Sequence, residues 1–216
     1  MYKNLCSRDA DEWQFLENKR RNLLSDLKNL KSKDPELQKA NSIRVLEFGV
    51  GPGVNLYCYP PNTRLIAVDI NKFFEDIFMN NLKKYENITL EKFLITSARD
   101  LREIPSNSID AVVCTYTFSS VDDQLEVAKE IKRVLAKGGK WYFYEMVGYQ
   151  NRYYRLLQEA LRPIWRIWFN NWRLGYNIRP ILEKAGFTDI TLDYFELKEV
   201  HFLAAPNVCG TAMKPE

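Results

Sequence analysis

A carboxylate and three glycines stand at alternate positions in Glu47-Phe48-Gly49-Val50-Gly51-Pro52-Gly53, and a second carboxylate, Asp69, follows sixteen residues after Gly53. An apolar run, Val45 to Phe48, precedes the glycines. A glycine loop after such a run lets a ligand approach the backbone, because no Cβ stands in the way and positive φ is allowed. A carboxylate at the end of the next strand can accept hydrogen bonds from both hydroxyls of a ribose. The loop and the acidic residue together therefore point to a nucleoside-bearing ligand.

The sign of the ligand's charge can also be read. A dinucleotide loop spaces its glycines G-x-G-x-x-G so that a pyrophosphate sits on a helix N-terminus, and here Val54 fills the third glycine's place. Glu47 would oppose a pyrophosphate and suits a ligand carrying an ammonium and a sulfonium. A nicotinamide or flavin site is the competing reading of the loop, and a tight turn with no ligand is the third.

These residues need elements to hold them. Apolar spacing predicts strands over Arg44–Phe48, Arg64–Asp69, Thr89–Leu94, Ala111–Thr115 and Lys140–Tyr144, then about Thr188–Phe195 and Val208–Lys214. Helices are expected briefly after Gly53, over Lys72–Tyr85, over Asp122–Lys137 with a stop at Gly138-Gly139, and in a segment ending near Gly186. Asp9 to about Lys31 reads as an amphipathic helix with Trp13, Leu16, Leu23, Leu27 and Leu30 on one face and an Asp9–Glu12 capping box. Lys33 to Ser42 reads as a polar linker. The alternation predicts an α/β fold, a Rossmann-like, doubly wound and mostly parallel seven-stranded sheet with an antiparallel C-terminal hairpin. The expected organisation is residues 1–42 as N-terminal helix and linker and 43–216 as the main domain, with an aromatic and arginine-rich segment at about 150–176.

Composition excludes several functions. Apolar residues make up 46% of 216, and 31 Lys and Arg against 28 Asp and Glu leave a net charge of +3, too small to require a nucleic-acid partner. Cys6, Cys58, Cys114 and Cys209 are scattered without a Cys-x-x-Cys pair, and His201 is the single histidine, so neither a zinc site nor a disulfide framework has its ligands. A metal is not expected. His201 reads as a packed or surface residue. No apolar run approaches the ~18 residues of a membrane span, and no signal-peptide core is present.

Glu47 to Gly53 resembles motif I of class I S-adenosylmethionine-dependent methyltransferases. Val68-Asp69-Ile70, Ser97-Ala98-Arg99-Asp100-Leu101, Ser108 to Val113 and Arg133 to Gly139 follow in the order of that superfamily's later motifs. A narrower resemblance rests on Tyr59-Pro60-Pro61, Cys114-Thr115, Tyr142-Phe143-Tyr144-Glu145 and Pro206 to Lys214. These look like the microsomal alkyl-thiol methyltransferases of the methyltransferase-like group. The chain shows no counterpart of that group's hydrophobic N-terminal anchor and has Met146 where the group commonly has histidine.

The resemblance implies S-adenosylmethionine as cofactor, S-adenosylhomocysteine as product, and a small apolar acceptor, a thiol before other small molecules or lipids. It implies that Gly49, Gly51 and Gly53 admit the methionine and ribose parts, with Glu47 near the methionine ammonium and Asp69 on the ribose. Ile70 is expected on the adenine face, Ser97 and Ala98 at its polar edge, and Thr115 and Tyr116 beside the transferring methyl. Glu145, at the end of the fifth strand, is a candidate acceptor for the thiol proton or else a structural or cofactor-side carboxylate.

The fourth strand ends Cys114-Thr115-Tyr116-Thr117-Phe118, unlike the Asn-Pro-Pro-Tyr of base-modifying enzymes, so no nucleic-acid partner is expected. A cytoplasmic location is expected, with peripheral contact to the endoplasmic reticulum membrane. The segment Arg152 to Tyr176 has three readings: an apolar lid over the acceptor in which Trp165 and Trp168 meet substrate, an interfacial membrane contact, or a helix packed on the sheet. Pro163 is expected to break or kink a helix there. The alternative to an enzyme is a methyltransferase-fold module that binds without turnover.

Overall fold

The computed structural model describes residues 10–168, 175–198 and 200–216, with the side chains of Ala10, Asp11 and residues 162–168 outside that description. Seven strands form one sheet: β1 (Ile43–Phe48), β2 (Thr63–Asp69), β3 (Ile88–Ile95), β4 (Ile109–Thr115), β5 (Leu135–Met146), β6 (Thr188–Glu196) and β7 (Pro206–Met213). Their order is β3-β2-β1-β4-β5-β7-β6. The first five pair in parallel, and β7 runs antiparallel to both β5 and β6. The helices are α1 (Ala10–Leu24), α2 (Pro35–Lys39), α3 (Phe74–Leu82), α4 (Gln124–Val134), α5 (Arg152–Trp168) and α6 (Ile178–Ala185).

Period-two alternation divides the central strands between two cores. Leu46, Phe48, Ile66, Val68, Val112, Cys114, Trp141 and Phe143 face α4 and α6, whose Val127, Ile131, Ile178 and Leu182 share that cluster. Val45, Leu65, Ala67, Ala111, Val113 and Tyr142 face the other way, against Leu24, Leu27 and Phe78. Burial on both faces is why β1, β2 and β4 are near-continuous apolar runs. The two layers put the C-terminal ends of β1, β2, β4 and β5 along one rim.

Several local expectations are corrected. The first helix is shorter than the apolar pattern suggests: α1 ends at Leu24 and tightens into a 3₁₀ turn over Ser25–Asn29. The tighter turn keeps Leu24 and Leu27 together in the core. Trp13 is half exposed, not part of the packed face. Asp9 lies outside the described residues, and Glu12 accepts a hydrogen bond from the Lys198 amide at 2.8 Å. The polar linker holds α2, capped by Asp34, whose carboxylate takes the Glu36 and Leu37 amides. Its flanks are tied down by buried Asp110, which accepts from the Lys33 and Arg44 amides at 3.2 and 2.8 Å.

After Gly53 only a 3₁₀ turn forms, Leu56–Cys58, because Pro60 holds Tyr59 in the extended region (ψ 136°). Gly138-Gly139 does not stop a helix. Instead α4 ends at Val134 and β5 begins at Leu135, where pairing with Ile109 captures the backbone and the ladder shifts register before Ala111 and Lys140. Finally, α5 continues through Pro163 without a break.

Candidate functional site

The loop between β1 and the 3₁₀ turn has the backbone that its glycines predict. Gly49, Gly51 and Gly53 all have positive φ, at 67°, 50° and 85°. A Cβ on Gly49 would stand 2.1 Å from Thr117 Oγ1, so glycine lets the loops after β1 and β4 touch. A Cβ on Gly51 would meet nothing within 4 Å. Gly51 therefore borders the open space that a ligand needs, and its amide donates to Asp69 Oδ2 at 2.8 Å. Asp69 Oδ1 takes the Asn71 amide, also at 2.8 Å. This carboxylate fixes the loop and keeps further lone pairs for hydroxyl donors.

Glu47 lies beneath the loop, 1% exposed, and does not face open space. It accepts from Asn55 Nδ2 at 2.7 Å and from the Tyr59 hydroxyl. Asn55 also donates to Thr115 Oγ1 at 3.1 Å, so one amide joins the ends of β1 and β4. Burial pushes the Glu47 carboxyl up to about 7, against the hydrogen bonds from Tyr59 and Asn55 and the charge of Arg20.

The sign of the resulting pH effect follows from linkage. An unfolded carboxyl ionises near 4.5, whereas the folded one keeps its proton until about 7, so between these values folding takes up a proton. Stability contributed by protonated Glu47 is present below 4.5 and is lost as pH rises through 7. Glu47→Gln should remove this slope and so gain about 3 kcal/mol on wild type between pH 4.5 and pH 8. Parallel Tm–pH curves for the two proteins would rule this out.

Arg20 and Asn55 are two residues that sequence spacing did not reveal. Arg20, on α1, reaches Val54 O at 3.5 Å and the Tyr57 hydroxyl at 3.4 Å, while its buried Nε has no partner. Asn55 is fully buried, and its Oδ1 is likewise without a partner. One is a cationic donor and the other an acceptor, both beside the glycine loop. Such a pair suits the carboxylate and ammonium of an amino-acid end. Asn55 stands two residues after the last glycine, a signal that was available. Arg20 carried none, because only folding brings α1 to the loop.

The remaining predicted residues sort by position. Ile70 is 76% exposed just after β2, and Phe73, the N-cap of α3, is exposed as well. Ser97 and Ala98 follow β3, joined to β2 by the Thr96 amide on Asp69 O at 3.1 Å. The Ser97 hydroxyl accepts from the Arg99 amide at 3.3 Å, and Ala98 is buried. Tyr116 takes positive φ, 53°, just beyond β4, and its ring lies 4.9 Å from that of Tyr144.

Glu145, the candidate base, lies against the backbone of the loop after β4. It is fully buried and accepts from the amides of Thr117, Phe118 and Ser119 at 2.8, 2.9 and 3.1 Å. Burial raises its carboxyl while these amides lower it. Both oxygens are used to shape the loop after β4. Trp165 and Trp168 lie on the backbone of α5, but their side chains fall outside the described residues. The described N-terminal turns of α5 expose Tyr153, Tyr154, Leu156 and Leu157. His201 is exposed and accepts the Leu203 amide in a turn. No cluster of metal ligands and no helix long and apolar enough to cross a membrane occur among the described residues.

Residues 46–143 match a family described as methyltransferase domain. The chain is 29% identical to rat thiol S-methyltransferase TMT1B over 206 residues, covering 95% of this chain and 82% of that one. It is 29% identical to human thiol S-methyltransferase TMT1A over 197 residues, 91% and 78% of the two chains. A putative methyltransferase from Bacillus halodurans superposes with a TM-score of 0.66 at 13% identity, over 89% of this chain and 99% of that one, which shows the fold. Residues 46–143 thus match a methyltransferase domain, and the chain resembles class I S-adenosylmethionine-dependent methyltransferases and, among them, the thiol S-methyltransferases. S-adenosylmethionine is its cofactor, and the open cradle at Gly51, the carboxylate of Asp69 and the unpartnered Arg20 and Asn55 atoms fit that molecule.

Proposed function

We propose that this methyltransferase acts on a small alkyl thiol. The observation that carries the reading is the likeness to thiol S-methyltransferases along 95% of the chain, well beyond the residues of the domain match. Gly49, Gly51 and Gly53 admit the cofactor to the backbone, Asp69 receives its ribose, and Arg20 and Asn55 hold the two ends of its amino-acid group. Ile70 and Phe73 cover the adenine, and Ser97 and Ala98 meet its edge. The bound cofactor supplies the methyl group on a sulfonium, already activated for displacement.

What this chain adds is alignment and exclusion of water. Holding a nucleophile at ~3 to 3.5 Å can account for ~7 to 11 kcal/mol of barrier, so a strong base is not required. A thiol with pKa ~8.5 is ionised to a few per cent at neutral pH, which supplies the nucleophile without a dedicated carboxylate. Thr115 and Tyr116, at the tip of β4, border the transferring methyl. Glu145 acts one step back by setting the loop from Thr117 to Ser119.

The test is transfer from labelled S-adenosylmethionine to a panel of alkyl thiols, amines and phenols, with Gly51→Arg as the control that fills the cradle. Labelled thioether from wild type and none from the control is the expected result. Arg20→Ala should bind the cofactor about tenfold more weakly, having lost one charge-assisted contact. Methylated amine or phenol with unreacted thiol would overturn the reading.

A further inference from the structure

A cavity of about 590 Å³ opens between the end of β5, the start of α5 and the β6–β7 hairpin. Tyr149, Tyr154, Tyr194, Phe195 and Phe202 line it, with Glu196 as the one charged wall residue among the described residues. No lysine or arginine lines it among the described residues. The rings are held in place. Tyr149 and Tyr154 lie 5.2 Å apart at 43°, and the Tyr149 hydroxyl donates to Phe202 O at 2.7 Å. Buried Gln158 ties the Tyr149 amide, at 2.9 Å, to Leu203 O, at 2.7 Å.

Aromatic faces carry the negative end of a quadrupole, so a ring face bordering the cavity attracts a cation and repels an anion. The Phe195 ring already has Lys19 Nζ 5.1 Å from its centroid, which leaves Tyr149, Tyr154, Tyr194 and Phe202 for a ligand. Glu196 adds to that field, and its charge contributes, after burial, to raising the Tyr149 phenol. The cation that acts on Tyr194 from outside the wall, Arg179, is paired with Glu183 at 3.6 Å. Arg152 of α5 lies over the Tyr153 ring, which is not part of the wall. The cavity is also joined to the reaction site. Phe195 packs on Tyr144 at 5.6 Å, and Tyr144 on Tyr116 at 4.9 Å, so one aromatic wall runs from the cavity to the tip of β4.

We infer that this cavity binds an organic cation, a substituted ammonium on an apolar body, as the far end of the methyl acceptor. The cation site stands on its own wall chemistry, and its role in holding an acceptor rests on the thiol reading above. A neutral apolar body would gain only the ring contacts, whereas an ammonium gains the quadrupoles and the Glu196 charge as well. The volume lies in the range of sites for drug-sized ligands.

Binding of 3-hydroxypropyl-trimethylammonium to the full chain, followed by ligand-observed NMR, is compared with that of its uncharged carbon isostere, 4,4-dimethylpentan-1-ol. The ammonium should bind about tenfold more tightly, and Tyr154→Leu or Glu196→Gln should each weaken it about three- to tenfold while changing the isostere by about twofold or less. Both substitutions fall on exposed positions, so the fold is retained. Equal binding of the two probes, or an unaltered preference in both variants, overturns the inference. The corresponding thiols, 3-mercaptopropyl-trimethylammonium and its carbon isostere, are then offered for methylation. A higher kcat/KM for the cationic thiol supports the acceptor role. Cation-selective binding without methylation of either thiol overturns the thiol reading and the acceptor role but leaves the cation site, whereas turnover with equal binding does the reverse.

Discussion

Asp69→Ala should raise the Kd for S-adenosylmethionine about a hundredfold in a protein that still folds. The carboxylate fixes the Gly51 and Asn71 amides and stands at the end of β2, where two ribose hydroxyls would donate to it. Hydrogen bonds to a charged group are worth about 1.5–3 kcal/mol each, and a loss of about 2.7 kcal/mol in binding is a hundredfold. Asp69→Asn keeps the shape and one acceptor oxygen, so its loss should be smaller. Calorimetric titration measures both, with a thermal melt as the control for folding. A folded alanine variant whose Kd stays within twofold of wild type would remove Asp69 from the cofactor site.

The second large effect is on stability, at Glu145. Replacing it by alanine leaves the amides of Thr117, Phe118 and Ser119 buried without their acceptor and opens a gap beneath the loop. The expected cost is about 3–5 kcal/mol, the range for breaking a buried charged network, and a Tm lower by about 6–20 °C at this chain length. Glu145→Gln keeps one acceptor oxygen and should fall between. This separates the two roles that the sequence allowed. A general base would lose turnover in the glutamine variant with Tm unchanged, and its rate would cease to depend on pH near the carboxyl's titration. A positioning residue loses Tm and rate together.

Most of the sheet was legible because its central strands are buried on both faces, which leaves near-continuous apolar runs that end within a residue or two of the observed strands. The start of β5 was not, since Gly138-Gly139 reads as a helix stop until the pairing of Leu135 with Ile109 is known. Likewise α2 hid in a polar stretch, although Asp34-Pro35-Glu36 is a compact N-terminal signal. Near the candidate site, the positive-φ glycines of the loop and the seat of Asp69 at the end of β2 could be recognised from spacing, because both depend on backbone that is local in sequence. Arg20 could not, because it meets Val54 and Tyr57 only across a tertiary contact. The position of Glu145 in the chain said that it ends a strand near the reaction. It did not say that three amides already occupy it.

The order of the last strands bears on how the chain acquires its shape. In synthesis β6 is made before β7, yet β7 lies between β6 and the rest of the sheet. Among the strands β6 pairs only with β7, and its registered partners run from Pro206 to Met213. Until those residues have left the ribosome, β6 has no ladder to join and presents unpaired amides and carbonyls. Contacts this distant in sequence from β5 also slow folding, since their loop closure precedes any reward. The nascent chain thus has a finished β1–β5 half and an open β5 edge for the interval in which the β6–β7 hairpin is being made, an edge that chaperones or other chains would meet first.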